Sequence, residues 1–156
     1  MQTAGRTFGQ PFIYSMKEEN TMETIRFADK EHKDFYSQML IKTHNDDSYH
    51  RAFFYAMGIC VETRRNIHTL FDFKNGGINP DGLSSAWQTG GTRRLCRLAF
   101  NLWNGWTEEG KEQYSAPYEL FDCGFAPYFF EAIRLRYPEY CRNMDHSVLR
   151  FSEKQR

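Results

Sequence analysis

The chain has 156 residues, 20 Lys and Arg against 20 Asp and Glu, and 17% aromatic residues. That length fits one domain with enough core to need no disulfide or metal staple, and the neutral balance excludes a supercharged nucleic-acid coat or a strongly acidic DNA mimic. No apolar run approaches the roughly 18–20 residues of a membrane span. Met1 to Asn20 also lacks the apolar stretch of a signal peptide. This points to a cytoplasmic protein whose four cysteines, Cys60, Cys96, Cys123 and Cys141, stay reduced.

With two Val and seven Ile against 14 Phe, the composition leans away from strands. Residues 1–24 read as a flexible leader, 25–142 as a helical domain and 143–156 as a polar tail. Thr24 to Phe27 reads as a short extended piece. Asp29 is placed to cap a helix carrying Phe35, Met39 and Leu40 and ending near Thr43. After the turn-rich His44 to Ser48, residues Tyr49 to Val61 form a helix that is apolar almost all round, hence a buried central one. Glu62 or Thr63 restarts it towards Asp72. Lys74 to Gly82 is a loop dense in breakers. Asn79-Pro80 opens a short helix through Trp87, and Gly90-Gly91 ends it. Thr92 then caps a helix that stops at Gly105. Glu108 to Gln113 is a charged linker. Pro117 opens a short helix ending at Cys123-Gly124, and Pro127 a last one stopping by Tyr137, before Pro138. The expected fold is all-α, a single compact domain of five to seven short-to-medium helices around an aromatic core.

Charge is uneven along the chain. Residues 51–100 hold seven basic and three acidic side chains, and residues 101–141 hold three basic and seven acidic. On the helix after Gly90-Gly91, Leu95, Leu98, Ala99 and Leu102 form the inner arc, with Trp106 joining if the helix extends. Arg93, Arg94, Arg97, Asn101 and Asn104 form an outer arc without a carboxylate. Surface helices usually interleave both signs, and cations are disfavoured at a helix N-terminus. Gly90, Gly91 and Thr92 there offer backbone N–H groups to an anion, and Arg64 and Arg65 add to the basic excess. Two readings stand. Either Glu108, Glu109, Glu112 or Glu119 folds back to pair with these arginines, or the strip contacts phosphate, nucleic acid or an acidic protein surface.

Other constellations are weaker. His44, Asp46, Asp47 and His50 gather four metal-ligand types in seven residues. The same aspartates are also good helix caps, and His50 falls on the apolar side, so no metal and no cofactor is expected. The cysteines, 36, 27 and 18 residues apart, do not form a zinc framework. Cys60 and Cys96 read as core residues, and Cys96, beside Arg97, is a poor candidate nucleophile. Glu119, Asp122 and Glu131 are equally a carboxylate pair or helix-surface charge. Arg136 lies inside the apolar arc of the last helix. It either snorkels or pairs with Glu119 or Asp122.

Several longer strings carry a resemblance. They are Tyr49-His50-Arg51-Ala52-Phe53-Phe54-Tyr55 with Gly58-Ile59-Cys60, then Trp87-Gln88-Thr89-Gly90-Gly91-Thr92-Arg93 and Leu98-Ala99-Phe100-Asn101-Leu102-Trp103-Asn104-Gly105. Pro117-Tyr118-Glu119-Leu120-Phe121 leads on to Ala126-Pro127-Tyr128-Phe129-Phe130-Glu131-Ala132 and Tyr137-Pro138-Glu139-Tyr140-Cys141. Over about residues 26–142 the chain resembles an uncharacterised family of small proteins (a domain of unknown function) from Gram-positive gut bacteria, their phages and mobile elements. The resemblance implies context rather than catalytic residues: an accessory protein of a mobile element, of a kind that blocks host machinery, CRISPR effectors included.

The expected function is therefore a non-enzymatic binding protein that inhibits or modulates a host protein or ribonucleoprotein complex, anti-CRISPR activity being one form. A stand-alone nucleic-acid binder using the arginine face is the second reading, and a small metal-dependent enzyme at His44 to His50 the third. If the protein's own carboxylates saturate the arginines, the strip loses its outward role.

Overall fold

A computed structural model describes residues 24–141. The leader up to residue 23 and the chain from 142 on lie outside the described residues. Seven α-helices follow in order: α1 (Lys30–Thr43), α2 (Ser48–Gly58), α3 (Val61–Arg65), α4 (Ile67–Leu70), α5 (Gly90–Asn104), α6 (Pro117–Leu120) and α7 (Phe129–Arg136). A two-residue antiparallel hairpin, β1 (Phe71–Asp72) with β2 (Gly77–Ile78), pairs Phe71 with Ile78. Single 3-10 turns span Pro80–Ser84, Glu112–Ser115 and Ala126–Tyr128. The fold is mainly all-α, and no helix among the described residues is long and apolar enough to cross a membrane.

Local chemistry sets the boundaries. Asp29 caps α1 by accepting from the His32 N–H at 2.7 Å. His44 closes α1 in the left-handed region at φ 53°, a conformation uncommon for a residue with a Cβ. Asp47 caps α2 through the His50 N–H. The helix expected to run to Val61 stops at Gly58, and the side chains that follow take its last carbonyls. The Thr63 hydroxyl donates to Met57 O at 2.6 Å and Arg64 to Gly58 O at 2.6 Å. Orphan carbonyls at a helix end need such partners, so the break is hydrogen-bonded rather than frayed.

Other boundaries differ from the sequence reading. Gly90 and Gly91 do not end a helix; they form the first turn of α5. Thr89 is the cap, in a reciprocal box with Thr92. Gly91 sits 3.2 Å, measured from where a Cβ would stand, from the Phe125 ring, so a close approach favours glycine there. Asn79 makes no side-chain cap, and the segment after it is only a 3-10 turn. The hairpin was not expected; Asp72 builds its turn by accepting from the N–H groups of Lys74 and Asn75. Among the described residues Thr24 to Phe27 pairs with no strand, and Trp106 lies beyond α5 yet meets Phe100 edge-on.

Helix α2 is the centre, packed against α1, α5 and α7. Every residue from Ala52 to Cys60 is buried. Phe53, Phe54, Phe71 and Trp103 interlock with centroids 5.1–5.8 Å apart, mostly edge to face, the geometry that aromatic quadrupoles favour. Each fully buried Phe contributes about 1.5–3 kcal/mol. His50 belongs to this cluster, its ring 4.8 Å from Trp103, as its apolar position implies.

A second ring cluster holds down residues 24–29. Phe27 packs against His32, Tyr36 and Tyr55, and Ile25 joins the core margin. The segment lies as a strap tied to α1, α2 and α7: Ala28 N–H to His32 Nδ1, Tyr55 OH to Arg26 O, and Arg26 N–H to Glu131 Oε1.

Candidate interaction surface

Helix α5 presents its arginines along the outer arc as expected, but two of them turn back into the protein. Arg94 donates to Glu119 twice, to its carbonyl and to its carboxylate, both at 2.9 Å. Asp122 stands 3.9 Å away. Arg97 reaches Glu108 Oε2 at 3.0 Å and lies over the Tyr114 ring. Burial alone would push the Glu108 carboxyl up. The hydrogen bonds from Arg97 and Lys111 outweigh it and hold Glu108 below the usual glutamate range. Of the four partners expected, Glu108 and Glu119 are the ones used, and Glu109 and Glu112 are not.

The remaining strip residues divide in the same way. Asn101 and Asn104 finish the helix: the Asn101 amide donates to Trp106 O, and the Asn104 side chain accepts the Trp106 N–H. Thr92 is buried in the cap and donates to Gln88. Arg64 is tied to the Gly58 carbonyl. Arg65 and Arg93 remain exposed, and among the described residues neither lies within 4 Å of a carboxylate. The Arg93 Nε donates to the Leu83 carbonyl at 3.4 Å. What points outward is therefore Arg65, Arg93 and the exposed Gly90 beside it, a much smaller cationic surface than the helical wheel suggests.

The His44 to His50 constellation does not converge. His44 is an exposed helix terminus. Asp46 forms a two-pronged pair with Arg51, which holds its carboxyl below the usual range. Asp47 is the cap of α2 and also meets His50 Nδ1 at 2.8 Å. Among the described residues no three His, Cys, Asp or Glu side chains gather as metal ligands do. Cys60 and Cys96 are buried core thiols, and burial pushes Cys96 up to about 12, which removes its thiolate at neutral pH. Glu119 and Asp122 share Arg94, while Glu131 pairs elsewhere, with Arg134. Among the described residues Arg136 meets no carboxylate: it donates to Leu102 O and lies over the rings of Tyr49 and Tyr137.

One feature has no counterpart in the sequence reading. Tyr118 is 74% exposed and Phe130 71%. Phe130 packs against Phe121, ring centroids 5.3 Å apart, and Phe121 in turn meets the buried Phe129 at 5.2 Å; Tyr118 stands three residues before Phe121 in the chain. The Asp122 side chain, next in sequence to Phe121, is 81% exposed. Phe130 is thus held in solvent on a base of packed rings. Only the i, i+3 spacing of Tyr118 and Phe121 hinted at it, since Phe130 comes from α7. There is also an open cleft of about 450 Å3 between α4 and the hairpin, lined by His68, Phe71, Asp72, Phe73, Ile78 and Asn79. Asp72 there is already engaged by its own turn.

The family model described as "Family of unknown function (DUF6075)" matches residues 22–148. The chain belongs to this family. The DUF6075 match takes in α1 to α7 whole, so the outward arginines and the aromatic patch both lie within it. Its description assigns no activity and hence no residue roles. No curated protein and no solved structure matches the chain.

Proposed function

We propose that the chain is a non-enzymatic accessory protein of a phage or mobile element of Gram-positive gut bacteria. It acts in the cytoplasm by docking on a host macromolecular complex and inhibiting or modulating it, with defence systems, CRISPR nucleases included, as targets. The observation that carries this reading is the exposed Phe130 ring packed on Phe121, with the exposed Tyr118 three residues before Phe121. Large aromatic rings held in solvent on a packed base are the side chains that dominate the energy of protein contacts. The test is an inhibition assay of the purified protein against a panel of host CRISPR ribonucleoprotein nucleases, with binding measured in parallel. Wild type should bind and slow at least one of them. Tyr118→Ser with Phe130→Ser should abolish both effects while leaving the melting temperature nearly unchanged. Wild type that binds none of the panel overturns the CRISPR reading, and binding unaffected by the double variant overturns the patch.

A second reading, direct nucleic-acid binding, is favoured by the exposed Arg65 and Arg93. Salt titration separates the two: phosphate neutralisation makes affinity fall steeply with salt, whereas an aromatic-centred protein contact falls shallowly.

A further inference from the structure

His32 is fully buried, and both of its ring nitrogens are in use. Ala28 N–H can only donate, so Nδ1, 3.1 Å away, is an acceptor. Nε2 therefore carries the hydrogen and donates to Tyr55 O at 2.7 Å. This pattern fits one neutral tautomer and no other state. A proton added to Nδ1 would set two N–H groups against each other, and the bond that breaks is the one to Ala28. Gly58 makes room for the ring, since a Cβ there would collide with His32 Cδ2.

We propose that His32 is an acid-operated latch. While its imidazole is neutral it holds the 24–29 strap over α1, α2 and α7; when it takes a proton the strap lets go and uncovers the Tyr36–Tyr55 ring pair.

The surroundings support this. Burial pushes the His32 imidazole below its usual value, so the closed strap resists protonation and the open form, reached by water, does not. The charges facing the ring come from two sides and oppose each other: the Asp29 carboxylate at the start of α1 favours the proton, and the Arg64 guanidinium from α3 disfavours it. From α2 and α1 the phenols of Tyr55 and Tyr36 face the cluster. Burial pushes Tyr36 up to about 12 and Tyr55 up as well, so both stay neutral throughout. On α7, Glu131 with its partner Arg134 ties the strap at Arg26, one layer out. Of the three hydrogen bonds that tie Arg26 and Ala28 to the helices, the Ala28–His32 bond alone requires a neutral imidazole.

The experiment is amide hydrogen exchange by NMR on the full chain, together with the nitrogen signals of the His32 ring. The opening constant read at the Ala28 and Arg26 amides should rise about tenfold per pH unit below about 6.5, as one proton taken up by the open form alone requires. The α2 amides should keep their protection. Tyr55→Phe, which removes one tie to the strap, should raise opening about 2- to 12-fold at every pH with the slope unchanged, as loss of one net hydrogen bond implies. A folded His32→Gln should lose the slope. Three results overturn the latch: α2 losing protection together with the strap, Ala28 staying protected while the ring signals report a protonated imidazole, or Tyr55→Phe leaving the opening unchanged.

Discussion

The Arg136 guanidinium lies 3.8 Å over the ring of Tyr49 while its Nε donates to Leu102 O at 2.7 Å. One side chain thus joins the end of α7 to the start of α2 and the end of α5. Leu102 O is among the last four carbonyls of α5, which have no intrahelical partner, and the cation sits at the negative end of that helix. Arg136→Met should lower unfolding free energy by about 1.5–3 kcal/mol, the range of a charge-assisted hydrogen bond. Urea denaturation measures it. Arg136→Lys should recover only part, because an ammonium keeps the charge but lacks the planar group that stacks on a ring.

Arg93 and Arg97, neighbours on the wheel, should respond oppositely to charge reversal. Arg93→Glu alters an exposed side chain and should leave the melting temperature within a degree or two of wild type, as for surface substitutions generally. Arg97→Glu places a carboxylate against Glu108 in a pair whose side chains are only 14% and 28% exposed. Its cost should fall between the roughly 1 kcal/mol of an exposed pair and the roughly 3 kcal/mol of a buried one. Thermal melts of the two single variants decide it.

Glu108 gives the same pair a pH signature. Its carboxyl is held below the usual range when folded, so the unfolded chain binds the proton more readily. The pair's stabilisation is complete above the unfolded glutamate value of about 4.3 and is lost as pH falls through the lower folded value. Wild type should therefore be more stable than Glu108→Gln at pH 7, and the two should converge in acid, as followed by melting temperature against pH.

Gly82 is buried beneath α4, where a Cβ would collide with the Thr69 carbonyl and the Leu70 side chain. A backbone oxygen cannot swing aside as a side chain can. Gly82→Ala should destabilise by about 1–3 kcal/mol, the usual cost of overpacking, measured by chemical denaturation.

The four thiols should separate by reactivity with a disulfide reagent at pH 8. Cys141 is exposed and Cys123 half-buried, whereas Cys60 and Cys96 are in the core. Cys141 should label first and Cys123 next, with Cys60 and Cys96 labelling only on unfolding. Labelling of Cys96 in the native protein would contradict its burial.

The central helix and the caps at Asp29 and Gly105 were legible because they rest on periodicity and on local hydrogen bonds, both written in adjacent residues. The start of α5 was read three residues late. Thr89 and Thr92 are both suitable caps, and the choice depends on Phe125, 34 positions from Gly91, standing where a glycine is needed. The arginine strip was legible as a strip, but not its partners. Arg94 and Glu119 are 25 residues apart, and their meeting is set by how α6 folds across α5. The aromatic patch escaped for the same reason, being assembled from α6 and α7 together. His32 gave no signal, because its role depends on Ala28 and Tyr55 closing around it.

From Ala52 to its end at Gly58 every residue of the central helix is buried. Nothing the protein docks to can touch that stretch, so selection by partners acts only on the shorter segments hung around it. Divergence among relatives should follow two regimes: free change on the rim, and inside the axle only exchanges matched in volume by a neighbour on α1, α5 or α7.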